Sequence, residues 1–208
     1  MKTEITVQLF EDKDTILAKL RDRKVEFVEN YTVVDHYFTK MSRHELYNSS
    51  TGAKSYNNII RNSIILREID NGDEDRKAKI VHKNKVLDGN GNVISEDKLG
   101  TSIGNLTTVS KILERAGLNC WCELVNHSTV YRVGEFDLAI QDIDGLGRFL
   151  EIEEPDSMKG WSNEEKFEYM KKFVQSLNLD IGENFSCKKP YMQLLKNLGC
   201  QDSYVARL

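Results

Sequence analysis

The residues that first suggest chemistry are two carboxylates in the segment FLEIEE, Phe149 to Glu154. Glu151 and Glu153 stand two residues apart between Gly147 and Pro155, with Leu150 and Ile152 interleaved. In a β-strand, alternation puts both glutamates on one face, roughly 7 Å apart. On a solvated face they are the polar side of an ordinary strand. On an enclosed face they are half of a site for a hard divalent cation, which takes carboxylate oxygens. The thiols point elsewhere. Cys120 and Cys122 share one face of an expected strand, and with Cys187 and Cys200 they form no CxxC or Cys/His array of zinc spacing. They read as free thiols of core or surface. His36, His44, His82 and His127 form no array and read as structural or exposed.

The elements that must position these groups follow from periodicity. Ile5, Val7 and Leu9 alternate with Glu4, Thr6 and Gln8, as in a half-buried strand. Asp12 or Asp14 can cap a helix carrying Ile16, Leu17 and Leu20. Val25–Val28 and Tyr31–Thr39 read as strands, and residues 41–58 as a polar loop or insertion. Strands are expected over Ser63–Ile69 and Lys77–Val86, with turns at Asn71–Asp75 and Asp88–Asn92. A helix from about Asn105 to Ala116 ends at Gly117, and strands then continue to Glu153. Ser162 and Glu165 form a capping box for a helix bearing Phe167, Met170, Phe173, Val174 and Leu177. Lys189–Leu198 reads as a last short helix.

The spacing Ile16, Leu20, Val25 recurs as Val109, Leu113, Leu118, which suggests two related halves, about 1–90 and 91–155, followed by C-terminal helices over 156–208. The expected class is α+β in one domain, 1–208. A closed antiparallel barrel would leave no strand edge exposed.

Composition narrows the function classes. The chain of 208 residues is 39% hydrophobic and 30% charged, with no apolar run of the length a membrane helix needs. A net charge of -4 argues against a general nucleic-acid surface. The N-terminal MKTEITVQLFEDKD lacks the pattern of a signal peptide, so a cytoplasmic location is expected.

The order of Asp35-His-Tyr-Phe38, Ile65-Leu-Arg67, Ile80-Val-His-Lys83, Gly145-Leu-Gly-Arg-Phe-Leu-Glu-Ile-Glu153 and Lys189-Pro-Tyr-Met-Gln-Leu-Leu195 resembles the CYTH family. That family includes class IV adenylyl cyclases, thiamine triphosphatases and related triphosphate tunnel metalloenzymes. The resemblance implies an eight-stranded antiparallel β-barrel forming a tunnel, with flanking helices. It implies a lining of lysines and arginines for a triphosphate, and glutamates that hold Mg or Mn.

Carried over residue by residue, it makes Glu4, Glu151 and Glu153 the metal ligands, with Glu4 and Glu153 in the catalytic role. Arg67 and Lys83 become triphosphate-binding residues, and strand parity offers Lys85 and Arg132 as substitutes for the phosphate-binding cations that the chain lacks. The first strand keeps Glu4 but has Thr6 and Gln8 where the family has Glu and Lys, and Ile69 replaces a second arginine. Asn126 and Ser128 fall where a Lys-x-Arg pair is expected. Gln141 falls on an acidic position, which a one-residue shift would give to Asp142. Strand parity puts Arg132 with Asn126 and Ser128, Asp137 with Gln141, and Lys79 and Lys85 with Lys83. Tyr191, Leu194 and Leu195 are expected to dock the last helix.

The leading expectation is metal-dependent processing of a nucleoside or other triphosphate, of phosphohydrolase or adenylyl cyclase type. The alternative is a weakened tunnel protein that binds a nucleotide or phosphorylated ligand without turnover. In a third reading the charges pair with one another as scaffold. The expected partner is a small triphosphate-containing molecule, with no membrane and no general nucleic-acid binding; a homodimer is compatible with the chain.

Overall fold

In the computed structural model, residues 3–49, 55–72, 76–87 and 93–199 are described. Eight strands form one antiparallel sheet: β1 (Glu4–Leu9), β2 (Glu26–Thr39), β3 (Ser63–Asp70), β4 (Lys77–Leu87), β5 (Val93–Ile103), β6 (Asn119–Val133), β7 (Phe136–Ile143) and β8 (Gly147–Glu153). Their order is β1-β8-β7-β6-β2-β3-β4-β5. The α+β class and the eight antiparallel strands are as expected, whereas the barrel is not closed. Among the described residues no ladder joins β1 to β5. The outer edge of β1 is instead covered by residues 180–187. Thr6 N–H donates to Phe185 O at 3.2 Å, Cys187 N–H to Thr6 O at 3.0 Å, and Gly182 N–H to Gln8 O at 2.9 Å.

Six helices flank the sheet among the described residues: α1 (Lys13–Leu20), α2 (Arg43–Ser49), α3 (Ser55–Arg61), α4 (Leu106–Arg115), α5 (Asn163–Ser176) and α6 (Lys189–Asn197). Asp12, rather than Asp14, caps α1 by accepting from Thr15 N–H. Asn105 caps α4, and Gly117 follows it with φ +85°. Ser162 and Glu165 form the expected capping box of α5. Two expectations are corrected. Residues 26–39 are one continuous strand rather than two, and residues 41–58, read as a loop, contain α2 and the start of α3. Polar helices with no sustained apolar stripe give little periodic signal, which is why the helical turns were not seen there. The turn at Asp88–Asn92 lies outside the described residues, as does Asp73–Asp75.

The chain divides into two compact units. In the unit made chiefly of residues 2–31 and 126–189, one sheet face is covered by α1 and α5. Ile5, Val7, Leu9, Leu138, Ile140, Leu150 and Ile152 meet Ile16, Leu20, Met170 and Val174 in its core. In the unit made chiefly of residues 32–125, α4 covers the sheet, with Leu113 and Leu118 against Phe38 and Leu66. All six residues of the two triplets noted in the sequence belong to or pack against these cores. Ile16 and Leu20 lie in the first core with Val25 packed against it, and Leu113 and Leu118 lie in the second with Val109 packed against it.

Candidate functional site

In the unit containing β1, alternation sends Ile5, Val7 and Leu9 to the core and therefore turns Glu4, Thr6 and Gln8 to the opposite face. The β1–β8 register sets Glu4 opposite Glu153, Thr6 opposite Glu151 and Gln8 opposite Phe149. Gln141 follows on β7 and Ser128 on β6, in register with one another. The three glutamates singled out in the sequence therefore share one face with the neutral replacements Thr6, Gln8, Asn126, Ser128 and Gln141. Glu4 and Glu153 are exposed, and Thr6 and Gln141 are buried.

These neutral groups already have local partners. Thr6 Oγ1 donates to Glu4 Oε1 at 3.0 Å, and Ser128 Oγ to Asn126 Oδ1 at 3.1 Å. Lys189, the first residue of α6, brings its ammonium to this face. Its Nζ donates to Gln141 Oε1 at 2.5 Å and to Glu151 Oε2. Lys189 was legible only as part of a sequence motif, since a lysine beside Pro190 gives no hint of the carboxylate it meets.

The register also decides between Gln141 and Asp142. Asp142 pairs with Arg148 in the ladder and by an ion pair at 2.7 Å, on the face that Gln141 does not occupy. The parity expected for Arg132 and Asp137 holds: they are register partners, joined at 2.8 and 3.1 Å by two hydrogen bonds. That bond to Asp137 also raises the Arg132 pKa.

In the unit containing β3–β5, the face away from the α4 core carries cations. Arg67 stands opposite Lys79, and Lys83 opposite Lys98. Asp35, opposite Arg67 in the β2–β3 register, is a buried carboxylate that accepts from Arg67 Nε and Nη2 at 2.6 Å each. Lys98 was missed in the sequence because the cross-strand register that sets it opposite Lys83 is not readable from local pattern. Lys85 has its backbone in β4 opposite Glu96, but its side chain lies outside the described residues.

Among the described residues Cys120, Cys122 and Cys187 are free thiols, and Cys200 lies outside them. Burial pushes the Cys120 thiol up and, more strongly, that of Cys122, so both stay protonated and weakly nucleophilic near neutral pH. His36 meets Glu123 and His127 meets Asp144.

The fit of Mg or Mn can be judged from these donors. A divalent cation on this face would draw on Glu4, Glu151 and Glu153, yet Glu151 is already held by Lys189. Among the described residues no three His, Cys, Asp or Glu side chains converge as a ready metal cluster. As the side chains stand, the carboxylates do not fit a three-ligand metal centre.

No protein-family model matches the chain, and no curated protein matches it. Solved structures do resemble it. The PH1819 protein of Pyrococcus horikoshii OT3 superimposes with a TM-score of 0.63 at 18% identity, covering 95% of this chain and 99% of that one. A proposed adenylate cyclase from Vibrio parahaemolyticus gives 0.57 at 18% identity, covering 91% and 96%. A proposed adenylyl cyclase from Hippeastrum, with a dominant triphosphatase activity, gives 0.55 at 15% identity, covering 95% and 96%. At these identities the likeness establishes the shared fold.

Proposed function

We propose that this chain binds a triphosphate-containing or comparably phosphorylated small molecule on the cationic face of β3, β4 and β5, without efficient turnover. The observation that carries the reading is the cross-strand placement of like charges: Lys83 against Lys98, and Arg67 against Lys79. A row of cations on adjacent strands makes a local positive field that attracts a polyanion laid across it. Lysine ammonium groups act on phosphate as point charges, while Arg67 is oriented by its two bonds to Asp35. The names of the Vibrio and Hippeastrum structures support a triphosphate as the ligand class.

Weak turnover follows from the carboxylates. Phosphoryl transfer is accelerated by positioning and by charge stabilisation from metal ions and fixed donors. Here Glu151 is engaged by Lys189, Thr6 spends its hydroxyl proton on Glu4, and Gln141 supplies an amide in place of an acid. Isothermal titration with tripolyphosphate and ATP tests the binding. We expect the affinity to fall with rising salt and to weaken at least about tenfold in Lys83→Ala/Lys98→Ala, since a hydrogen bond to a charged group is worth about 1.5–3 kcal/mol. Equal affinity in the double variant contradicts the proposal.

A second reading, metal-dependent hydrolysis or cyclisation with Mg or Mn at Glu4 and Glu153, is favoured by the triphosphatase activity of the Hippeastrum structure. In that reading Thr6→Glu and Gln8→Lys raise phosphate release in a metal-supplemented assay. The absence of any gain counts against it.

A further inference from the structure

We infer that Lys189 is a built-in counter-ion for Glu151, so that a divalent cation reaches this carboxylate only by displacing the ammonium. The inference stands on unit-internal geometry and does not depend on the proposed ligand. Lys189 Nζ donates to Glu151 Oε2 and to Gln141 Oε1, the latter at 2.5 Å. The side chains of Lys189 and Glu151 are only 16% and 21% exposed. A carboxylate so enclosed needs a cation, because an unpaired charge taken from water is costly. Gln141, itself buried, offers a neutral oxygen and keeps the group balanced, with one positive charge against one negative. An acid at that position would leave the pair one charge short.

The location of Lys189 supports this role. It opens α6, where the positive end of the helix dipole disfavours a cation. The partner carboxylate offsets that penalty. A divalent ion offered to Glu151 therefore competes with a tethered ammonium whose two bonds are already made, whereas Glu4 and Glu153 are exposed and stand opposite one another on β1 and β8. The consequence is that Glu151 is charge-neutralised without metal, and that Lys189 sets its metal affinity.

Mn²⁺ titration, followed by the electron paramagnetic resonance signal of the free ion, tests the inference on the full chain. Lys189→Met is expected to bind Mn²⁺ at least about tenfold more tightly than the wild type, corresponding to about 1.4 kcal/mol. Lys189→Met/Glu151→Gln is expected to lose that gain, and Lys189→Arg to stay near the wild type. Thermal melts identify any variant that fails to fold. If Lys189→Met alone does, Lys189→Gln is read in its place. Equal affinity in the wild type and the neutral variant, or a gain that survives Glu151→Gln, overturns the inference.

Discussion

Asp35 and Arg67 illustrate what residue types alone leave open. The arginine was legible in Ile65-Leu-Arg67, but its buried partner on β2 was not, because cross-strand partners are separated by 32 positions in the chain. Arg67→Met leaves the buried Asp35 carboxylate without its counter-ion and is expected to destabilise the fold by about 2 kcal/mol. Urea denaturation checks this, with Asp35→Asn/Arg67→Met recovering part of the loss. Glu154 gives a pH prediction. Partial burial pushes its pKa up, but the Thr3 N–H at 2.7 Å and Lys166 at 3.0 Å outweigh it and hold the carboxyl below its ordinary value. A depressed folded pKa means that the stabilisation is complete above the ordinary carboxylate range. It is lost as pH falls through the folded value. Melting temperatures from pH 7 to pH 3 should therefore fall more steeply for the wild type than for Glu154→Gln. Parallel curves contradict the assignment.

At the scale of elements, caps and alternation carried most of the reading. The Ser162–Glu165 box, the Asn105 cap and the period-two pattern of β1 each rest on interactions within a few residues, so the sequence displays them directly. Ser162→Ala is expected to cost about 1 kcal/mol, read by thermal denaturation. Ile16→Ala, which empties a fully buried place under β1, should cost about 3 kcal/mol, and Leu113→Ala under β3 a similar amount. Unequal losses of several kcal/mol would sink the idea that α1 and α4 do the same job. What local pattern could not supply was the segment 180–187 along β1. Its backbone hydrogen bonds to Thr6 and Gln8 depend on no residue type. The unclosed sheet order and the covered edge are therefore findings of tertiary structure.

Across the whole chain, the eight antiparallel strands were readable because the family-like motifs span nearly its full length, whereas their order in the sheet was not. The roles of site residues were less readable, since Asp35 lies 32 positions from Arg67 and Glu151 lies 38 from Lys189. No described helix is long and apolar enough to cross a membrane. The net charge of -4 coexists with the local strip of Arg67, Lys79, Lys83 and Lys98, so overall charge says little about this face. The central claim is that this strip holds a phosphorylated ligand. Its most direct test is calorimetric titration of tripolyphosphate into the metal-free protein and into Lys83→Ala/Lys98→Ala, with melting temperatures confirming that both are folded. The account predicts saturable binding by the wild type and at least about a tenfold loss in the double variant. Absent binding by the folded wild type, or undiminished binding after both lysines are removed, would contradict it.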